Sequence, residues 1–181
     1  MKRKLLCIFG IAALIALLAA GSYANFTARG TAENVITAGD VKLELIEKTA
    51  DGTDFPSEGV EILPGQTVSK IVTVKNVGGN PFYLRVKLTK RVEDAQLSAD
   101  DCLHMDINET DWEYRDGFYY YKSALAPDAV TTPLFSEVQI DVNNVDNRYL
   151  GKNLMLDVAV YAVQSANNGA TVWDAVGWPA G

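Results

Sequence analysis

From residue 41 onward the chain alternates. In "DVKLELIE" Val41, Leu43 and Leu45 fall on one side of an extended backbone, with Lys42 and Glu44 on the other. "PFYLRVKLTKRV" repeats the pattern with Phe82, Leu84, Val86 and Leu88 set against Arg85 and Lys87. Its register slips at Lys90, which predicts that the strand leaves the core there. "LFSEVQIDV" aligns Leu134, Val138, Ile140 and Val142, and "NLMLDVAVYAV" aligns Leu154, Leu156, Val158, Val160 and Ala162. Successive strand residues point to opposite faces, so a period of two predicts half-buried strands with one face in a core.

Turn signals separate these runs: "ADGTD", "LPGQ", "VGGNP", "RDG", "APD" and "NNG". "WEYRDGFYYYK" predicts a hairpin that reverses at Asp116-Gly117, with aromatics on both arms. No helical period is present beyond a short turn between Glu93 and Asp101. Many short strands with Gly and Pro turns predict an all-β fold, an antiparallel β-sandwich spanning residues 39–181. The segment 93–111, "EDAQLSADDCLHMDINETD", has no period and reads as an irregular acidic loop.

The amino terminus follows a different rule. "MKRK" is followed by sixteen uncharged residues, "LLCIFGIAALIALLAA", and then by "GSYA". A basic start, an apolar run and the small residues Ser22 and Ala24 form a secretory signal peptide, residues 1–24, with the mature chain starting at Asn25. The run is shorter than the ~20 residues of a comfortable membrane span. Membrane contact is therefore expected only through the uncleaved precursor, and the location is extracellular or at the cell surface. Residues 25–38 form an arm ahead of the sandwich.

Charge sharpens this reading. Removing residues 1–24 takes away Lys2, Arg3 and Lys4 and no acid, so a net charge of −7 becomes −10. Such acidity excludes nucleic acid and anionic membrane surfaces as partners. Cys7 leaves with the leader and Cys102 is then alone, so no intrachain disulfide forms and the fold relies on its core.

Candidate chemistry is sparse. His104 is the one histidine, so any Ser-His-Asp arrangement must pass through it, and no G-x-S-x-G supplies a nucleophile elbow. No H-E-x-x-H is present, and a zinc site on His104 and Cys102 lacks two ligands. No catalytic residue and no cofactor are assigned. Asp100, Asp101, Asp106, Asn108 and Asp111 are the calcium candidates, because hard cations need several oxygens. An EF-hand loop starting at Asp106 fails, with Asp111 where glycine is required and Gly117 where glutamate is. In the hairpin, Trp112, Tyr114, Phe118, Tyr119, Tyr120 and Tyr121 alternate faces, which leaves about half of them for a binding or assembly surface.

Taken in order, "GSYANFTARGTAENVITAGDVKLEL", "LPGQTVSKIVTVKNVGGNPFYLRVKL", "DGFYYYKSALAPDAVTTPLF" and "LMLDVAVYAVQSANNG" resemble the TasA/camelysin family of Gram-positive exported proteins. The likeness covers nearly the whole chain outside 93–111. It implies a jelly-roll-like sandwich, processing by a SipW-type signal peptidase and a place in biofilm-matrix fibres. Camelysin was described as a metalloendopeptidase, and His104 is all that this chain offers for that role. The fold and the matrix role carry over; the protease does not.

The arm then acquires a use. Its Val35 and Ile36 suit a strand, and sheet edges accept added strands. The expectation is a fibre subunit or accessory that self-associates, or joins related matrix proteins, by strand addition after cleavage. The rivals are an arm paired within its own chain, a monomeric module binding glycans or a cell surface, and the camelysin-type protease.

Overall fold

The computed structural model describes residues 26–28, 34–38, 41–57, 60–94, 96–149 and 152–180. The cleavage residues Ser22, Ala24 and Asn25 lie outside them. Among the described residues the chain is all-β. The arm contributes β1 (Phe26–Ala28) and β2 (Asn34–Ala38). Then come β3 (Leu43–Lys48), β4 (Val60–Ile62), β5 (Thr67–Ser69), β6 (Ile71–Asn76) and β7 (Phe82–Val92). The remainder are β8 (Leu103–Met105), β9 (Trp112–Arg115), β10 (Phe118–Tyr121), β11 (Glu137–Ile140) and β12 (Leu154–Gln164). No helix among them is long and apolar enough to cross a membrane.

One sheet has five strands in the order β2-β12-β7-β10-β9. Its pairs are antiparallel except β2, which runs parallel to β12. Opposite it lie β3 with β6, and β11 between β5 and β8. Main-chain bonds join these two smaller sheets: Lys70 N–H to Ser136 O, Val72 N–H to Phe135 O, and Thr131 N–H to Val74 O. The smaller sheets thus continue one another across Lys70. β1 pairs with β4.

The alternation read from the sequence explains the core. Leu84, Val86, Val158 and Val160 from the five-stranded sheet meet Val72, Val74, Leu134, Val138 and Ile140 from the opposing strands in one buried cluster. Burying each such side chain stabilises the fold by roughly 1.5–3 kcal/mol. Trp112 closes one end of the cluster. The hairpin turns where expected, with Asp116 at φ 51° and Gly117 at φ 85°. Two successive positive φ values are what a two-residue turn needs to match the strand twist.

β7 loses its full burial toward Lys90 as expected: Lys90 is half-buried and its Nζ donates to the carbonyl of Asp100 at 2.8 Å, while pairing continues to Val92 opposite Leu154. Two features depart from the expected pattern. The segment 93–111 is not irregular throughout, because it contains β8, whose Leu103 is fully buried. Three residues are too few to show a period. The short turn expected between Glu93 and Asp101 is present, with Leu97 N–H donating to Asp94 O at 3.0 Å, and a 3-10 turn lies at Asn147–Tyr149. Finally, the alternation of β12 gives way at its end, where Val160, Tyr161, Ala162 and Val163 are all buried. The cause is the chain after β12, which folds back over the outer face of the sheet. Val172, Trp173, Ala175 and Trp178 there pack against Tyr83, Tyr120, Phe118 and Val163.

Candidate functional site

The arm occupies a defined place. β2 lies along the last strand, with Val35 opposite Val160 and Ile36 opposite Tyr161. It is the outermost strand of the five-stranded sheet and has one neighbour in it. A parallel pair has no hairpin to connect it, so nothing local in sequence holds β2 against β12. β2 is thus held in the sheet by its ladder with β12 rather than by a local turn.

The opposite edge is β9, and it is built differently. Its Trp112 is fully buried, faces Tyr121 across the hairpin with ring centroids 5.0 Å apart, and donates Nε1–H to Thr132 O at 3.3 Å. Tyr114 and Tyr119 form the next cross-strand pair on the same face, 4.9 Å apart and tilted by 52°. Tyr114 is 63% exposed. These rings, with Ile107, Glu109 and Glu113, line a cleft of about 540 Å³. Burial, with Tyr114 and Glu109 close by, raises the pKa of the Tyr119 hydroxyl, which stays a protonated donor at neutral pH. Lys122 on the same wall has its ammonium tied to the carbonyls of Glu109 and Thr110, at 2.8 and 2.9 Å. Among the described residues, neither Glu109 nor Glu113 has a cationic partner within 4.0 Å.

On its other face the same hairpin is covered. Arg85 of β7 lies 3.8 Å from the centroid of Phe118 and 4.8 Å from that of Trp178. It donates to Tyr120 Oη and to Pro179 O, each at 3.1 Å. Cation–π contact and hydrogen bonds together fasten the terminal segment over the sheet.

Three of the calcium candidates, Asp106, Asn108 and Asp111, take part in side-chain hydrogen bonds. Asp106 Oδ1 accepts the N–H groups of Ser136 and Glu137, which fixes β8 beside β11. Asn108 donates to Asp111 at 3.1 Å and to Pro133 O at 3.2 Å, and it accepts the N–H of Thr110. Hydrogen bonds from Thr132 and Asn108 hold the Asp111 carboxyl below its ordinary range. Asp100 and Asp101 sit in the turn before β8. Among the described residues, no three His, Cys, Asp or Glu side chains gather as metal ligands would. His104 is exposed, with Nε2 3.3 Å from Asp141 Oδ2, and among the described residues no serine or cysteine is bonded to it. Cys102 is buried, and that burial raises its thiol pKa, away from the reactive thiolate.

Sequence reasoning missed one buried pair. Lys70 and Glu47 are both almost wholly enclosed, with Nζ and Oε2 2.8 Å apart and Nζ 4.0 Å from the Phe55 centroid. The separation is that of a hydrogen bond but the approach angle is not, and Glu47 Oε1 has no partner. The contact is coulombic, and burial lowers the pKa of Lys70 despite the carboxylate beside it. Replacing one member alone strands a buried charge and costs about 3–5 kcal/mol. Lys70 interrupts the apolar run of β5 and β6, a signal that alternation alone does not interpret.

Compared with known proteins, the chain matches no protein-family model, no curated protein and no solved structure.

Proposed function

We propose that this protein is an exported structural subunit, or an accessory, of an extracellular matrix, assembling by exchange of its amino-terminal strand after removal of residues 1–24. In this reading the sandwich is jelly-roll-like and a SipW-type signal peptidase frees Asn25. β2 then leaves its own β12 and pairs with the β12 of the next copy. The observation that carries the reading is the parallel, outermost placement of β2 on the last strand. A strand given forward and received from behind makes a head-to-tail contact that does not close, and the product is a filament. Because the exchanged pairing repeats the intrachain one, little enthalpy opposes it, and protein concentration drives it. Before cleavage the leader tethers the arm, so cleavage is the switch. The TasA/camelysin resemblance supports the same role, and self-association or a related matrix protein supplies the partner. No catalytic step and no metal enter the proposal.

The test is Val35→Asp with Ile36→Asp in the chain beginning at Asn25. Filaments seen by electron microscopy for the parent are expected to vanish, while circular dichroism shows a folded β monomer. Filaments that persist in the double variant would refute strand exchange.

A further inference from the structure

We propose that the cleft at the β9–β10 hairpin is a saccharide subsite, and that its ligand is a polysaccharide of amino sugars carrying free amines. This inference stands apart from strand exchange, since the cleft lies at the opposite edge of the sheet from β2.

The walls define the chemistry. Aromatic rings attract the C–H faces of a pyranose, whose hydrogens carry partial positive charge, while its equatorial groups need polar partners at the rim. Tyr114 and Tyr119 supply the first requirement. They are a tilted pair 4.9 Å apart, and Tyr114 remains open to solvent while its neighbour two residues back, Trp112, is locked in the core. A large exposed ring on a pinned strand is an anchor already held in position, so binding orders little that is not ordered beforehand. The cleft of about 540 Å³ falls in the size range of small-ligand sites and has room for a sugar ring.

Charge selects among sugars. Glu109 lines this wall without a cationic partner among the described residues. Lys122 commits two of its three ammonium hydrogens to the carbonyls of Glu109 and Thr110. The whole chain carries −7 and opposes an anionic glycan over a longer range. An ammonium on the sugar pairs with the Glu109 carboxylate, and the tyrosine faces add cation–π attraction. Neutral sugars use only the stacking part of the site.

The experiment is isothermal titration of the chain beginning at Asn25 with a glucosamine hexamer. The fully N-acetylated hexamer is the neutral arm, and both are run at about 0.15 M salt, where surface charges beyond ~8 Å are screened. The glucosamine hexamer is expected to bind at least tenfold more tightly than its acetylated counterpart. Tyr114→Ala, which leaves net charge and core unchanged, is expected to weaken it at least tenfold, and Tyr114→Phe to preserve binding. Glu109→Gln should weaken the glucosamine arm alone. Unchanged binding in Tyr114→Ala would mean diffuse attraction to an acidic protein and would overturn the site. Equal affinity for both hexamers, indifferent to Glu109→Gln, would overturn the choice of ligand, and absence of binding would overturn both.

Discussion

The two edges of the five-stranded sheet present opposite solutions to one problem. An edge strand carries unpaired N–H and C=O groups that invite another chain. β9 answers with charge and with covalent shortness. Glu113 and Arg115 alternate with its aromatics, and a two-residue turn ties it to β10. β2, "NVITA", has no charge, and its partner is the last strand of the fold. An incoming strand at β9 meets charges and a hairpin that cannot detach. One at β12 need only displace a strand that no tight turn ties to its neighbour. Under the proposed strand exchange, charge density and connectivity, rather than exposure alone, decide which edge assembles.

The largest effect tied to this contrast is expected from Trp112→Ala. Removing the ring that pins β9 leaves a core cavity, at a cost of about 3–5 kcal/mol. Chemical denaturation of the monomer measures that loss. Hydrogen exchange should then speed up in β9 and β10 and remain unchanged in β12, because the edges are held independently. Loss of protection at both edges would mean that they are one cooperative unit and would break the comparison.

A smaller effect tests the charged edge. Glu113→Val with Arg115→Val should change monomer stability by less than about 0.5 kcal/mol, as surface substitutions do. It should nonetheless create lateral aggregates that sediment even when β2 carries Val35→Asp and Ile36→Asp. If the uncharged β9 edge stays monomeric in that background, charge is not what seals it.

The smallest effect concerns acid. The Asp111 carboxyl before β9 is held below its ordinary pKa of 3.8 by Thr132 and Asn108. With the folded pKa depressed, the unfolded chain binds more protons in acid. The contribution of Asp111 is thus present above pH 3.8 and is lost as pH falls through the folded value. In Asp111→Asn the acid limb of the stability profile should be shallower than in the parent, as read by thermal melts. A parallel limb would remove Asp111 from the anchoring of this edge.

How far the sequence foretold these regions varies with the kind of signal. The strands β3, β7, β11 and β12 are legible because one face meets a core and the other meets water. The hairpin is legible because Asp-Gly is a local preference needing no distant partner. The burial of Tyr83 and Val163 is not legible, since they pack with the segment carrying Trp173 and Trp178, and alternation cannot see a covering segment. β8 stays hidden in a run of carboxylates because its three residues are held by Asp106 and β11 rather than by pattern. Of the acids that suggest calcium, Asp106 and Asp111 accept main-chain and side-chain N–H groups, a role with the same composition. Of the arm, Val35 and Ile36 announce a strand. Its parallel direction and its place on β12 are properties of the whole topology.

The measurement that tests strand exchange most directly is cysteine trapping at the β2–β12 pair. Asn34→Cys with Ala159→Cys, residues directly opposite in register, is placed in a Cys102→Ser chain beginning at Asn25, concentrated until it assembles and then oxidised. Exchange between copies predicts a ladder of covalent multimers on denaturing gels, collapsing to monomer on reduction. Assemblies that dissolve wholly into internally bonded monomers would contradict it, because β2 would then have remained on its own β12 throughout.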